Sequence, residues 1–319
     1  MIISRTPYRV SFAGGSTDIS DYYSKSYGAV TSFALDKYIY VIVKKKFDSK
    51  IKLNYSIIEE VIDIDNIKNE IIKAALQMTG IHKEIEISII GDVPGRSGLG
   101  SSSSLSVGLL NALYKYKGIK LKAEELAQKA CQLEIQILNK KMGKQDAYAA
   151  AYGGCNYFKF NANETVDVTP ISLTAKQYSY LKKHMMLFFM DLYHDTEHIL
   201  NTIIQKDSLQ DKMKEQAFQI KDILLNGEDL IKIGYILDEA WNYKKQLSEI
   251  ISNPIIDGYY KSVKENGAIG AKLLGAGGGG FLLVFCAENK KDLIRKALGG
   301  LNELDIGFSK VGSKIMRFN

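Results

Sequence analysis

At 319 residues the chain is long for one compact unit and suits two domains. Its 46% hydrophobic and 24% charged residues supply cores and a polar surface, which excludes a disordered chain, and no window approaches the ~20 apolar residues of a membrane helix. The formal net charge of +6 would suit phosphorylated small molecules, but only five of the 42 basic residues are arginines and no basic stripe carries interleaved aromatics, so neither a nucleic-acid nor a membrane partner is expected.

The amino terminus, "MIISRTPYRV", lacks a basic segment followed by a long apolar run and a small-residue cleavage site, so a cytoplasmic protein is expected. From Ile2 to Phe12 the sequence is β-rich, and the alternation in "YRVSF" sets Arg9 and Ser11 on the face opposite Tyr8, Val10 and Phe12. Further strands are expected from Tyr38 to Phe47 and from Glu84 to Ile90. A helix is predicted from Leu105 to Lys117, stopping at Gly118, and a second from Lys122 to Leu138. "CNYFKF" reads as a strand, and Pro170 with the polar stretch after it marks a boundary near residues 170–183, dividing 1–180 from 181–319. "MMLFFMDL" opens the second half as a buried strand, helical patterns fill residues 197–266, and strand, helix and strand follow around "GAKLLGAGGGGFLLVF". The class is α+β in two parts. Cys131, Cys155 and Cys286 are odd in number with no CxxC, which fits buried thiols in a reducing compartment.

In "PGRSGLGSSSSLSVG", Pro94 to Gly108, a glycine-rich turn runs straight into a helix. Unpaired N–H groups at a helix start carry partial positive charge, glycines let the backbone approach an anion, and serine hydroxyls can donate to phosphate or ligate magnesium. A capped turn needs one serine; four serines and Arg96 exceed it, and the stretch reads as a phosphate cradle. The glycine spacing is that of GxxxxGK[ST], but Ser101 stands at the lysine position, so the fixed cation of that motif is missing. "GAGGGG", Gly275 to Gly280, matches GxGxxG, yet the strand "FLLVF" follows it where a dinucleotide fingerprint needs a helix. A hairpin turn and close backbone packing beside a ligand or another loop both stay open there.

Glu134 shares an apolar helical stripe with Leu126, Ala127, Ala130, Cys131 and Leu138, where a carboxylate needs an ion pair or a metal; beside a phosphate loop, magnesium is the better reading. Asp146, in "GKQDAYAAAYGG", is either a helix cap or the base or positioning anion for a hydroxyl attacking a γ-phosphate. In "RVSFAGGSTD", Arg9 is a candidate to stabilise phosphate charge or hold Asp146 ionised, and Asp18 to accept hydrogen bonds from sugar hydroxyls; an ordinary turn with a surface arginine is the alternative. His194 and His198 have the spacing of a helical metal pair but lack a third ligand and the HExxH glutamate, so zinc is not expected.

Together and in this order, "RTPYRVSFAGGSTD", "PGRSGLGSSSS" and "KLLGAGGGGF" resemble the three motifs of the galactokinase, homoserine kinase, mevalonate kinase and phosphomevalonate kinase (GHMP) superfamily. The resemblance implies a two-domain α+β GHMP kinase fold, with a ribosomal protein S5 domain 2-like amino-terminal domain, a ferredoxin-like carboxyl-terminal domain and the active site between them. It also implies ATP and Mg²⁺ as cofactors, with Pro94, Arg96, Gly98, Leu99, Gly100, Ser101, Ser102, Ser103 and Ser104 around the nucleotide. By motif position, Ser102 and Glu134 would hold the metal, Asp146 and Arg9 would be catalytic, and Gly15, Ser16, Asp18, Gly277 and Gly278 would meet the substrate.

Over the whole chain, "LDKYIYV", "GLGSSSSLSVGLLNALY", "GKQDAYAAAYGGCNYF" and "GAIGAKLLGAGGGGF" resemble the bacterial D-glycero-D-manno-heptose 7-phosphate kinases. That resemblance implies phosphorylation of the anomeric hydroxyl to the 1,7-bisphosphate, on the way to nucleotide-activated heptose for surface polysaccharide. A small-molecule sugar phosphate is then the partner, and a homodimer is compatible with it. The chain departs from the pattern at Ser16, where glycine is usual, at Ala147, where glutamine is common, and in "LYHDTEH", which replaces a segment that often carries arginine. Two alternatives follow: a kinase for a free sugar such as fucose or galactose, and a non-catalytic sensor binding ATP and sugar. Lys144, Lys244 and Lys245 are candidates for holding a distal phosphate.

Overall fold

Strand β1 (Ile2–Ala13) and the 19-residue β2 (Tyr27–Lys45) form the spine of the larger of two sheets. The computed structural model describes residues 1–192, 196–204, 206–227 and 229–316. Along its other edge β2 pairs first with β6 (Cys155–Asn161), through Tyr27–Phe33, and then with β5 (Ile85–Gly91), through Ile39–Lys45. The short β3 (Ile51–Asn54) and β4 (Ile58–Val61) extend the sheet beyond β5, and β7 (Val166–Pro170) extends it beyond β6. Only the second half of β2 is legible from alternation, because Gly28 to Leu35 is buried without a break and carries no polar face to mark the period.

Helices α1 (Ser20–Tyr23), α2 (Glu70–Thr79), α3 (Ser101–Tyr116), α4 (Ala123–Cys131) and α5 (Gln145–Tyr152) belong to this first part. Val107, Leu110, Leu126, Ala130 and Ala150 from the last three of these pack with Val41, Val43 and Ile87 of the sheet as one core. The polar stretch after Pro170, read as a boundary, carries α6 (Ala175–His184). Its start is a reciprocal cap: the Gln177 N–H donates to Thr174 Oγ1 at 3.2 Å while the Thr174 N–H donates to Gln177 Oε1 at 2.8 Å.

The second sheet is β8 (Met185–Phe189), β9 (Ala268–Leu273), β10 (Phe281–Cys286) and β11 (Asn302–Leu304) in the antiparallel order β11-β8-β10-β9. Fourth, first, third, second, with helices inserted after the first and third strands, is the ferredoxin-like arrangement. Between β8 and β9 lie α7 (Thr196–Thr202), α8 (Asp207–Asn226), α9 (Lys232–Lys245) and α10 (Pro254–Glu265), and α11 (Lys291–Ala297) precedes β11. A last short strand, β12 (Lys314–Ile315), returns to the first sheet beside β1. Among the described residues no helix is long and apolar enough to cross a membrane.

Tyr8, Val10 and Phe12 point into a core shared with Ile220, Leu237 and Phe285, so one face of β1 joins the two parts while its alternate residues, Arg9 and Ser11, line a cleft. The two glycine-rich segments meet beside that cleft. A Cβ on Gly275 would lie 2.5 Å from the Gly98 Cα, and one on Gly280, at φ +94°, would lie 2.4 Å from the Ser97 carbonyl oxygen. The Phe281 N–H donates to that same carbonyl at 3.0 Å. Both readings left open for "GAGGGG" are observed: it is the hairpin turn that joins the antiparallel β9 and β10, and its backbone packs against another loop. Gly280→Ala is therefore expected to cost about 2 kcal/mol or more, from left-handed strain plus steric overlap, measured as a lowered thermal midpoint; an unchanged midpoint would mean that the loops separate freely.

Candidate active site

Arg9 on β1 and Asp146 in the first turn of α5 form a two-pronged ion pair. Nε and Nη2 donate to Oδ1 and Oδ2 at 2.6 and 2.7 Å, and Nη1 donates to the Gly98 carbonyl at 2.6 Å. The fork therefore joins the catalytic candidate to the phosphate loop. Gly100, at φ +74°, starts α3 where a Cβ would stand 3.2 Å from Asp146 Oδ2, a left-handed position with a tight approach that favours glycine. No described side chain caps α3, which leaves its first-turn N–H groups available at the cleft wall.

Glu134 is 1% exposed and accepts from Ser102 Oγ at 2.5 Å and Ser103 Oγ at 2.7 Å. Burial pushes its carboxyl up, the two hydroxyls and the Lys140 charge pull it back, and Asp146 pushes it up further. No described lysine or arginine pairs with it; Lys140 pairs with Glu70 at 2.6 Å. A buried carboxylate whose partners are hydroxyl oxygens, beside a loop of free N–H groups, fits a hard cation such as Mg²⁺. The continuous helix expected here is interrupted: α4 ends at Cys131 and a π-helical turn, Gln132–Ile137, carries Glu134. Such turns change which side chains share a face, and residue spacing alone does not reveal them.

Asp18 is 2% exposed and accepts from the N–H groups of Ser16 at 3.1 Å and Gln145 at 3.0 Å, and from Gln145 Nε2 at 3.2 Å. Burial pushes it up to about 6 against the pull of the Gln145 N–H, with the Asp146 charge adding to the rise. Ser16, the departure from glycine, holds φ +74°, and its carbonyl accepts from Gln210 Nε2 of α8 at 2.9 Å. Two further polar atoms of the cleft wall, Ser11 Oγ and Gln145 Oε1, are buried with no hydrogen-bond partner. Unsatisfied groups of this kind in a cleft suit a polyhydroxylated ligand.

The cleft encloses about 340 Å³ and gathers Arg9, Gly15, Ser16, Asp18, Arg96, Gly98, Gly100, Ser101, Ser102 and Asp146. Four residues expected around the nucleotide turn their side chains away from the cleft. Leu99 is in the apolar core, Ser103 is turned to Glu134, Ser104 donates to the Pro7 carbonyl at 2.9 Å, and Pro94 is exposed outside the cleft. Gly277 and Gly278, expected against substrate, are corrected too: both back onto Ile251, whose carbonyl accepts from the Gly278 N–H at 2.9 Å, and Gly275 and Ala276 line the cleft instead. Of the three lysines considered for a distal phosphate, Lys144 pairs with Glu164 and Lys245 with Asp257, at 2.5 and 3.5 Å, and only Lys244 lines the cleft. Sequence reading missed Lys272, Gln145 and the apolar Leu200, Ile203 and Met213 of the same wall. Lys272 carried a signal, a lysine inside the apolar strand "AKLL". Of the histidine pair, His194 lies outside the described residues.

Comparison with known proteins places two parts of the chain. Residues 66–154 match the GHMP kinases N terminal domain and residues 220–302 the GHMP kinases C terminal domain. A D-glycero-alpha-D-manno-heptose 7-phosphate kinase of Campylobacter jejuni is 32% identical, with 99% of each chain covered, and a galactokinase of Thermosipho africanus is 26% identical, with 92% of each covered. The crystal structure of a D-glycero-D-manno-heptose 1-phosphate kinase from Bacteroides thetaiotaomicron superposes with a TM-score of 0.84 at 24% identity over 100% of both chains, a likeness of fold.

Proposed function

The chain belongs to the GHMP kinases, and on that premise we propose that it transfers the γ-phosphoryl group of ATP to the anomeric hydroxyl of D-glycero-D-manno-heptose 7-phosphate. The product is the 1,7-bisphosphate, a precursor of nucleotide-activated heptose for surface polysaccharide. The observation that carries the reading is the Arg9–Asp146 fork, fixed to the phosphate loop through Gly98 at the uncapped start of α3. It sets a carboxylate beside a row of N–H donors, the arrangement in-line phosphoryl transfer requires.

In this reading Asp146 takes or orients the proton of the attacking hydroxyl, and Arg9 fixes the plane of its carboxylate. The first-turn N–H groups of α3, with Ser101 and Arg96, meet the nucleotide phosphates. Ser102 and Glu134 would hold Mg²⁺, which neutralises charge on the β- and γ-phosphates when bound. Asp18, Ser11 and Gln145 receive the sugar hydroxyls. Residues 1–180 then carry the nucleotide and the catalytic fork, and residues 181–319 contribute Lys244, Lys272 and the apolar wall. That Ser102, Glu134 and Asp146 are all present, each in contact with a functional neighbour, supports a kinase over a sensor that has lost turnover.

The test is ADP release coupled to a dehydrogenase, measured for heptose 7-phosphate, free heptose, fucose, galactose and mannose. The highest kcat/KM is expected for heptose 7-phosphate. A higher value for a free sugar would reassign the acceptor, and nucleotide binding without ADP release from any acceptor would support the sensor.

A further inference from the structure

The phosphate loop carries Ser101 where GxxxxGK[ST] loops carry lysine, so the charge of a transferred phosphoryl group has no fixed ammonium within that loop. Two buried lysines of the second part of the chain line the same cleft. Lys272 on β9 donates to the carbonyls of Ser11 at 3.0 Å and Phe12 at 2.9 Å, which engages it in holding β1. Lys244, near the end of α9, is 8% exposed and donates to the Gly275 carbonyl. It makes no ion pair with a described residue, and an ammonium has three N–H groups to place. A buried cation without a counter-charge opposes folding, and an anionic ligand would relieve it.

Its position follows from contacts already described. Gly275 lies against Gly98, the Gly98 carbonyl accepts from Arg9 Nη1, and Arg9 grips Asp146. Lys244 thus sits at the junction of the two glycine loops, next to the fork. We propose that Lys244 is a catalytic residue that donates to the non-bridging oxygens of the transferred phosphoryl group, supplying from α9 the lysine that the phosphate loop lacks. This rests on the kinase reading above. In the transfer, the acceptor oxygen bonds to the γ-phosphorus, and the bond from that phosphorus to the β,γ-bridging oxygen breaks with its electron pair leaving on ADP. The hydroxyl proton passes to Asp146, and Lys244 keeps its protons while meeting the charge on the oxygens.

The charged groups around Lys244 are Arg9 of β1, Asp18 of the loop after it, Asp146 of α5 and Lys272 of β9. Burial first, then the Arg9 charge, lower Lys244 to about 7, against the pull of Asp146 and Asp18. The ammonium is the active form, so kcat/KM should fall as pH rises through about 7. Bound phosphoryl oxygens favour the ammonium, and the fall in kcat therefore comes at higher pH.

The experiment is steady-state kinetics on the full chain, with the acceptor it turns over fastest and with any free sugar it also accepts. Lys244→Met should lower kcat about a hundredfold for every acceptor, with acceptor KM within about threefold. Lys244→Arg should recover at least about tenfold of that loss and carry the alkaline limb of kcat/KM beyond about pH 9, because guanidinium does not titrate there. Near-unchanged kcat in Lys244→Met, or an alkaline limb unmoved in Lys244→Arg, overturns the assignment. A loss confined to phosphorylated acceptors also overturns it and assigns Lys244 to a distal phosphate. If the methionine variant loses its near-ultraviolet circular dichroism, Lys244→Gln, which can still donate to Gly275, is judged by the same kinetic criteria. Wild-type protein that releases no ADP with any acceptor overturns the kinase reading and this one with it, whereas active wild type with an equally active variant overturns this one alone.

Discussion

Asp146→Asn is expected to lower turnover by about a hundredfold or more while ATP still binds. An amide cannot take the hydroxyl proton, and its NH₂ group would face one of the two Arg9 donors that now meet carboxylate oxygens at 2.6 and 2.7 Å. Arg9 is 4% exposed, so its charge would be left buried against a neutral partner. Removing one member of a buried pair costs on the order of 3 kcal/mol, and a lower thermal midpoint should accompany the kinetic loss. Calorimetric titration with ATP separates the two effects, since the nucleotide contacts assigned to α3 do not involve Asp146. Near wild-type turnover in this variant would remove Asp146 from the mechanism.

Glu134→Gln should separate activity from stability in the opposite sense. Glutamine keeps an acceptor oxygen for one of the two serines and its NH₂ group can donate to the other hydroxyl, but it carries no charge to hold Mg²⁺. Because cation stabilisation of phosphate charge is worth several kcal/mol, kcat/KM for the Mg²⁺ nucleotide should fall by about a hundredfold or more. Stability should be unchanged or raised. Burial lifts the Glu134 carboxyl above its unfolded value, so its ionisation opposes folding at pH values above that range, and the neutral side chain removes this penalty. Activity against Mg²⁺ concentration and thermal denaturation at pH 7.5 check the two halves. Wild-type Mg²⁺ dependence would remove Glu134 from the metal site, and a large drop in midpoint would show that its charge is needed by the fold.

Local chemistry made much of the site legible. Strict alternation in "YRVSF" was enough to turn Arg9 and Ser11 away from the core side of β1, and a glycine turn running into serines marked a candidate anion cradle that lines the cleft. Glu134 was recognisable as anomalous because an ionisable residue on an apolar stripe requires a partner. What the spacing left hidden was the π-helical turn that carries it, since hydrophobic period reports an average face and not a single wide turn.

Residue types and their local order therefore determined the α+β class, the candidate phosphate loop, the Arg9, Asp18, Glu134 and Asp146 candidates and the absence of a lysine in that loop. Tertiary structure alone decided that Gly275 and Gly280 serve to bring one loop against Ser97 and Gly98, that Gly277 and Gly278 face Ile251, and that Lys244 rather than Lys144 or Lys245 lines the cleft. The physical reason is common to all three: a glycine's role depends on which backbone it must admit, and a lysine's on whether a carboxylate reaches it. Both are set by segments far away in the chain, which no local pattern encodes.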